Sequence, residues 1–169
     1  MPIRSARHRI AAAMSAWLAI CILLAPGSAQ PATDTSTMAV TAIVIATCVV
    51  GTAPLAFGNY AMGQTDSTTS VTAFCTNGTP YTVSLSAGTG SGASVAVRKL
   101  TGPASATLNY SLYQDVGRTS VWGHTIGTDT AAGTGNGTTQ TLTVYGRIVA
   151  AQGAAAGAYT DTITVTLTY

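Results

Sequence analysis

AYTDTITVTLTY, residues Ala158 to Tyr169, is the stretch whose reading decides the fold. Ile163, Val165, Leu167 and Tyr169 alternate with Thr162, Thr164, Thr166 and Thr168. A period of two, with β-branched residues on both faces, predicts a half-buried strand. Nothing follows it that could turn back and pair with its second edge, so the expectation is an edge that something else must cover. A comparable run lies near the other end, Thr37 to Val50, TMAVTAIVIATCVV. It puts Met38, Val40, Ala42 and Val44 on one face and Ala39, Thr41, Ile43 and Ile45 on the other. Apolar residues on both faces predict a strand buried from two sides. The open question is whether Thr37–Ile45 serves its own molecule or a neighbour.

Working inward, further strand patterns recur. Thr69–Cys75 aligns Val71, Ala73 and Cys75, and Tyr81–Leu85 aligns Tyr81, Val83 and Leu85. Between them Asn77-Gly78-Thr79-Pro80 has the chemistry of a hairpin turn. Val95–Leu100 reads as a short strand bearing Arg98 and Lys99. Thr107–Gln114 aligns Leu108, Tyr110 and Leu112, and Thr141–Ile148 aligns Leu142, Val144 and Ile148. Leu55 and Phe57 stand one strand period apart in Pro54–Tyr60, and Trp122 is expected to anchor the core or its rim. Ala61–Ser67, Gly127–Thr139 and Gln152–Gly157 read as loops, the second too poor in side-chain area to build core. No 3.6-residue period persists. Short strands every roughly 8 to 12 residues predict an all-β, Ig-like sandwich.

Residues 1–29 are expected to be a signal peptide. Arg4, Arg7, His8 and Arg9 form a basic start, Ile10–Ala25 is apolar, and Gly27-Ser28-Ala29 supplies small residues for cleavage. A run of 16 residues is shorter than the roughly 20 of a spanning helix. The basic residues left after residue 29 are Arg98, Lys99, Arg118 and Arg147, against Asp34, Asp66, Asp115, Asp129 and Asp161, net −1 (4 − 5). So sparse a charge excludes nucleic acid as a partner, since its recognition needs clustered Lys and Arg. It also resists self-association weakly, which suits a protein exported to join a polymer. Export sets the redox compartment: Cys48 and Cys75, 27 residues apart, are the expected disulfide.

Residues that could carry chemistry are few. His124 is the single histidine after residue 29 and sits beside Gly123 in a loop, with no nucleophile elbow or zinc-ligand spacing around it. The aspartates stand singly beside Thr, Ser, Gly or Gln, which suits turns better than paired acid and base; Asp115 and Asp161 are the two expected to hold a loop or strand end. No catalytic residue, cofactor or metal ligand is expected. Tyr110 is in phase with Leu108 and Leu112 and so belongs to the core, whereas Tyr113 and Tyr145 point to the surface.

Four blocks in order, FGNY at 57–60, LNYSLYQDVGRTSVWG at 108–123, VYGRI at 144–148 and GAYTDTITVTLTY at 157–169, resemble the spore coat protein U domain family, to which subunits of archaic (Csu-type) chaperone–usher pili belong. The resemblance implies an incomplete Ig-like β-sandwich lacking its last strand, over 47–169, with an N-terminal donor-strand arm over 30–46. It implies donor-strand residues Met38, Val40, Ala42 and Val44, with the opposite phase open, and a groove-edge strand carrying Ile163, Val165, Leu167 and Tyr169. The partners implied are homologous or identical pilus subunits, a periplasmic chaperone and an outer-membrane usher. The function implied is that of a structural pilus subunit, exported through the periplasm and supporting adhesion or biofilm. Its rivals are an extracellular or spore coat structural protein and a monomeric secreted binding module.

Overall fold

The computed structural model describes residues 29–169, and the expected signal peptide falls almost wholly outside them. Two units are distinguished, one ending at Thr41 and the other spanning Ala42–Tyr169. In the first, residues 29–41 form no regular element and every one is exposed.

The second unit holds eight strands: β1 (Cys48–Thr52), β2 (Thr65–Cys75), β3 (Pro80–Leu85), β4 (Arg98–Thr101), β5 (Thr107–Tyr113), β6 (Ala131–Thr134), β7 (Thr139–Ile148) and β8 (Val165–Thr168). One antiparallel sheet has the order β1-β2-β7-β5-β4 and the other β6-β3-β8. Among the described residues there is no α-helix, only a 3₁₀ turn at Pro103–Ser105. None is long and apolar enough to cross a membrane.

The alternations read from the sequence become the core. Val71, Ala73 and Cys75 of β2, Leu108, Tyr110 and Leu112 of β5, and Val144 and Ile148 of β7 face Tyr81, Val83 and Leu85 of β3, all buried. Trp122 is buried between the layers, and its indole Nε1 donates to the Val83 carbonyl at 2.9 Å. Cys48 and Cys75 lie directly opposite one another in the β1–β2 ladder and are bonded.

Four expectations need correction. The Asn77–Pro80 turn forms, with Thr79 N–H donating to the Thr76 carbonyl at 3.0 Å, but it does not close a hairpin. Its flanking strands go to different sheets, because β2 is already paired on both edges by β1 and β7. β2 begins at Thr65, inside the stretch read as loop; Asp66 and Thr68 face partners on β7, and a ladder needs backbone, not apolar side chains. Ala131–Thr134, inside the loop read over Gly127–Thr139, is β6. Gly133 lies opposite Tyr81, and a Cβ there would come within 2.5 Å of the phenol, so the missing side chain is the condition for the Tyr81 ring to pack. Finally, Pro54–Tyr60 is not a strand: it crosses the inner face of the larger sheet without a ladder, held by Ser67 Oγ on the Ala56 carbonyl at 2.6 Å and Thr69 Oγ1 on the Ala53 and Pro54 carbonyls at 3.0 Å. Its Leu55 and Phe57 pack on the core over Gly146 of β7, where a Cβ would meet both at 2.8 Å.

Candidate functional site

β8 is an edge. It pairs with β3 along one side, and among the described residues no strand pairs with its other side. β1 is the corresponding edge of the larger sheet; it lies near β8 without sharing a ladder. Between the two edges the sandwich stands open. The gap is a groove of about 460 Å³ walled by Thr52–Leu55 and Phe57 on one side and by Asp161–Ile163 and Val165 on the other. Its floor is apolar, formed by Val71, Leu85, Leu100, Leu112 and Val144 with the Tyr110 ring. Unpaired N–H and C=O groups along an exposed strand edge are ready to accept another strand.

The terminal stretch reaches this position in two steps. Thr160 first exchanges both backbone hydrogen bonds with Thr101 at the end of β4, at 2.8 and 3.0 Å, in the larger sheet. Five residues later the chain is β8 of the smaller sheet. Asp161 holds the crossing: its carboxylate accepts from Thr89 N–H at 2.7 Å, Thr89 Oγ1 at 2.9 Å, Thr162 N–H at 2.7 Å and Tyr110 O–H at 2.7 Å. Burial opposes its ionisation, but these donors outweigh that and hold its carboxyl below the usual carboxylate range. Burial pushes the Tyr110 phenol far up, and the hydrogen bond to Asp161 adds to it. Beyond Asp161, Ile163, Val165 and Leu167 are half-buried against the core while Thr162, Thr164, Thr166, Thr168 and Tyr169 are exposed. The period of two is therefore visible in burial, although regular strand begins only at Val165.

The residues read as donor strand are all exposed: Met38 85 %, Val40 85 % and Val44 83 %, with Ala42 exposed as well. Ile43 at 91 % and Ile45 at 73 %, the opposite phase, are equally bare. Residues 42–47 of the second unit make no ladder of their own. Large β-branched and thioether side chains left in water forgo about 1.5–3 kcal/mol each that burial would contribute.

Sequence reading missed Arg98. Its residue type argues for solvent, yet it is fully buried. The guanidinium donates to four backbone carbonyls, Ser86 at 2.9 Å, Val95 at 2.8 Å, Leu85 at 3.2 Å and Trp122 at 2.7 Å. Burial pulls its pKa down, and four acceptors keep the ion in place. His124 is exposed, and among the described residues no group of three His, Cys, Asp or Glu could hold a metal. Asp115, as expected, closes its loop on Thr119 and Ser120 amides at 2.7–3.2 Å. Backbone donation from Ser120 leads the effects that lower its pKa.

The profile of the Spore Coat Protein U domain matches residues 34–166. The chain belongs to the Spore Coat Protein U domain family. Within it, the chain is 33 % identical to Protein U of Myxococcus xanthus, over 96 % of this chain and 99 % of that protein. Spore Coat Protein U domains are structural, not enzymatic, and a spore-coat family implies an exported, surface location. The solved CsuC–CsuE chaperone–tip adhesion subunit pre-assembly complex, from archaic chaperone–usher Csu pili of Acinetobacter baumannii, contains a similar fold. The TM-score is 0.58 at 20 % identity, over 75 % of this chain, which spans 40 % of the chain it matches. At that identity the likeness is one of architecture.

Proposed function

We infer that this Spore Coat Protein U domain is the structural subunit of an archaic chaperone–usher pilus and polymerises by donor-strand exchange. One observation carries the reading: a single chain combines an open apolar groove between two unpaired strand edges with an exposed apolar run, 37–47, that has no ladder of its own. In this reading residues 30–46 are the arm, 47–169 the pilin domain, and residues 1–29 a signal peptide for passage to the periplasm. A chaperone strand fills the groove first, and at an outer-membrane usher the arm of another subunit replaces it. Main-chain hydrogen bonds to β8 give binding, and alternate side chains of the arm, Met38, Val40, Ala42 and Val44, occupy the floor opposite Ile163, Val165, Leu167 and Tyr169. No Gly, Pro, Asn or Asp stands between Thr37 and Val50, so nothing favours a tight reversal of the arm into its own groove. Fibres of this kind support adhesion and biofilm.

Deleting residues 30–46 tests the reading. The truncated subunit is expected to be captured by its chaperone and to be absent from fibres, and fibres of normal length from the truncated chain would refute it. The second reading, a coat protein assembled without an usher, is favoured by the near full-length match to Protein U. It is distinguished by assembly of the mature chain in a host lacking chaperone and usher.

A further inference from the structure

The outer face of the five-stranded sheet collects three half-buried cations, of which the Arg118 and Arg147 side chains keep 11 % and 26 % of their surface exposed. Lys99 of β4 and Arg147 of β7 point outward, since their neighbours Arg98, Leu100, Gly146 and Ile148 point in. Arg118, from the loop after β5, lies over the outward ring of Tyr145 with its guanidinium 5.7 Å from the ring centre, and its Nε donates to the Gly146 carbonyl at 3.2 Å. Arg98 being fully buried, these three are the remaining Lys and Arg side chains among the described residues. One carboxylate answers them on this face: Asp66 of β2, opposite Arg147, takes a bidentate pair from Arg147 at 2.7 and 2.8 Å and lies 3.5 Å from Arg118 Nη1. Asp115 stands at the rim with its oxygens turned into its own loop. The outer face of the three-stranded sheet is the opposite case: Thr82, Ser84, Thr166, Thr168 and Ala132 carry no charge.

Two further facts narrow the partner. Tyr113 and Tyr145 are cross-strand neighbours one row above Arg147 and Ser111, which places two phenols beside the cations on one face. Next to them Thr68, Ser70, Thr72, Thr141 and Thr143 line the middle of that face with hydroxyls, and the exposed apolar pair Val49 and Phe74 lies at its β1 edge. Phosphate polymers are held by dense Lys and Arg, and three cations on a whole sheet are too few. Membrane surfaces call for an apolar face rich in Lys and Arg, whereas here the apolar pair Val49 and Phe74 sits at the β1 edge, separated from the cations by the row of hydroxyls. A chain of sugars with a carboxylate at intervals matches better: guanidinium and ammonium for the carboxylate, the Tyr113 ring for a C–H edge, hydroxyls for hydroxyls.

We propose that the outer face of the five-stranded sheet, centred on Lys99, Arg118, Arg147, Tyr113 and Tyr145, binds a carboxylated polysaccharide. The site lies on the opposite side of its sheet from the groove, so it does not depend on donor-strand exchange. Native electrophoresis of the mature protein through gels holding polygalacturonate, or neutral dextran, tests it, with phosphatidylglycerol vesicles as a second probe. Polygalacturonate is expected to retard the protein and dextran not to. Lys99→Gln with Arg147→Gln should weaken retardation at least about tenfold, the loss expected when charge-assisted hydrogen bonds are removed. Tyr113→Ala should weaken it with charge unchanged, and Asp66→Asn should strengthen it. Adding Ala132→Lys on the other sheet to the double variant should not restore binding. Equal retardation by dextran, none by polygalacturonate, rescue by Ala132→Lys, or vesicle binding lost in the same variants would each overturn the proposal. Circular dichroism of every variant separates loss of the site from loss of the fold.

Discussion

The Tyr110 hydroxyl donates to Asp161 Oδ2 at 2.7 Å, tying the middle of β5 to the point where the chain leaves the larger sheet for β8. The same carboxylate holds Thr89, so one ionised group fixes the inner end of the groove. Because the folded-state pKa of Asp161 is depressed, its contribution to stability is present above the unfolded-state value of about 3.9 and is lost as pH falls through the folded value. Asp161→Asn should cost about 1–3 kcal/mol at pH 7 and flatten the loss of stability below pH 4. Denaturant melts at pH 7 and pH 3, followed by the fluorescence of Trp122, check both.

Arg98 should be the costliest charge to remove. Truncation to Ala removes the donor from two buried carbonyls, Leu85 and Trp122, and two part-buried ones, Ser86 and Val95, and about 3–5 kcal/mol of destabilisation is expected. Lys, with the charge but not the planar fork, should recover only part of it. Equilibrium unfolding in urea measures the difference; equal stability of Arg98→Ala and the parent would remove Arg98 from the framework.

Gly146→Ala introduces a methyl 2.8 Å from Leu55 Cδ2 and Phe57 Cζ. The larger sheet is expected to keep its ladder while the 54–60 segment is pushed off it. Overpacking of this sort costs about 1–3 kcal/mol. Faster amide exchange or proteolysis confined to residues 54–60 is the sign to look for, and an unchanged pattern would mean that the segment can shift to make room.

Replacing Cys48 and Cys75 together by Ser should lower stability by about 3–4 kcal/mol, from the chain entropy released when a 27-residue connection is reopened. Thermal melts of the oxidised parent and the double variant give the comparison. Melting temperatures within a degree of each other would show the bond to be idle.

Ile163→Asp puts a charge on the half-buried face beside the groove. It should block occupancy by an apolar strand while leaving β3 and the ladders of the larger sheet intact. Co-purification with a chaperone, and fibre yield, should both fall at least about tenfold, since burying an unpaired charge costs several kcal/mol.

Much of this architecture could be read from residue patterns because the core obeys alternation. Val71-Ala73-Cys75, Leu108-Tyr110-Leu112 and Tyr81-Val83-Leu85 announce inward faces in their spacing, and all are buried. The disulfide was equally legible from address and spacing. What escaped is what alternation does not encode. β6 is small residues whose role is to let Tyr81 lie flat, so it shows no apolar signal. Arg98 is buried because carbonyls from Leu85, Ser86, Val95 and Trp122 converge, a meeting of three main-chain segments that alternation does not record. The turn at 77–80 has hairpin chemistry, and only the occupancy of both β2 edges decides that it arches between sheets. In the groove, Ile163, Val165 and Leu167 were visible as a face and Asp161 as the holder of a loop or strand end, whereas its partners Thr89 and Tyr110, 72 and 51 residues away, were not.

Cys48 is the first residue of β1, and its sulfur is bonded to the last residue of β2. Tension arriving from residue 47 therefore need not unzip the five-residue edge strand one pair at a time. It crosses the covalent link into β2, whose ladder with β7 runs from Thr65 to Phe74 and is loaded along its length, so that many hydrogen bonds must shear together. The bond turns an edge strand of the sandwich into a tether on its longest ladder.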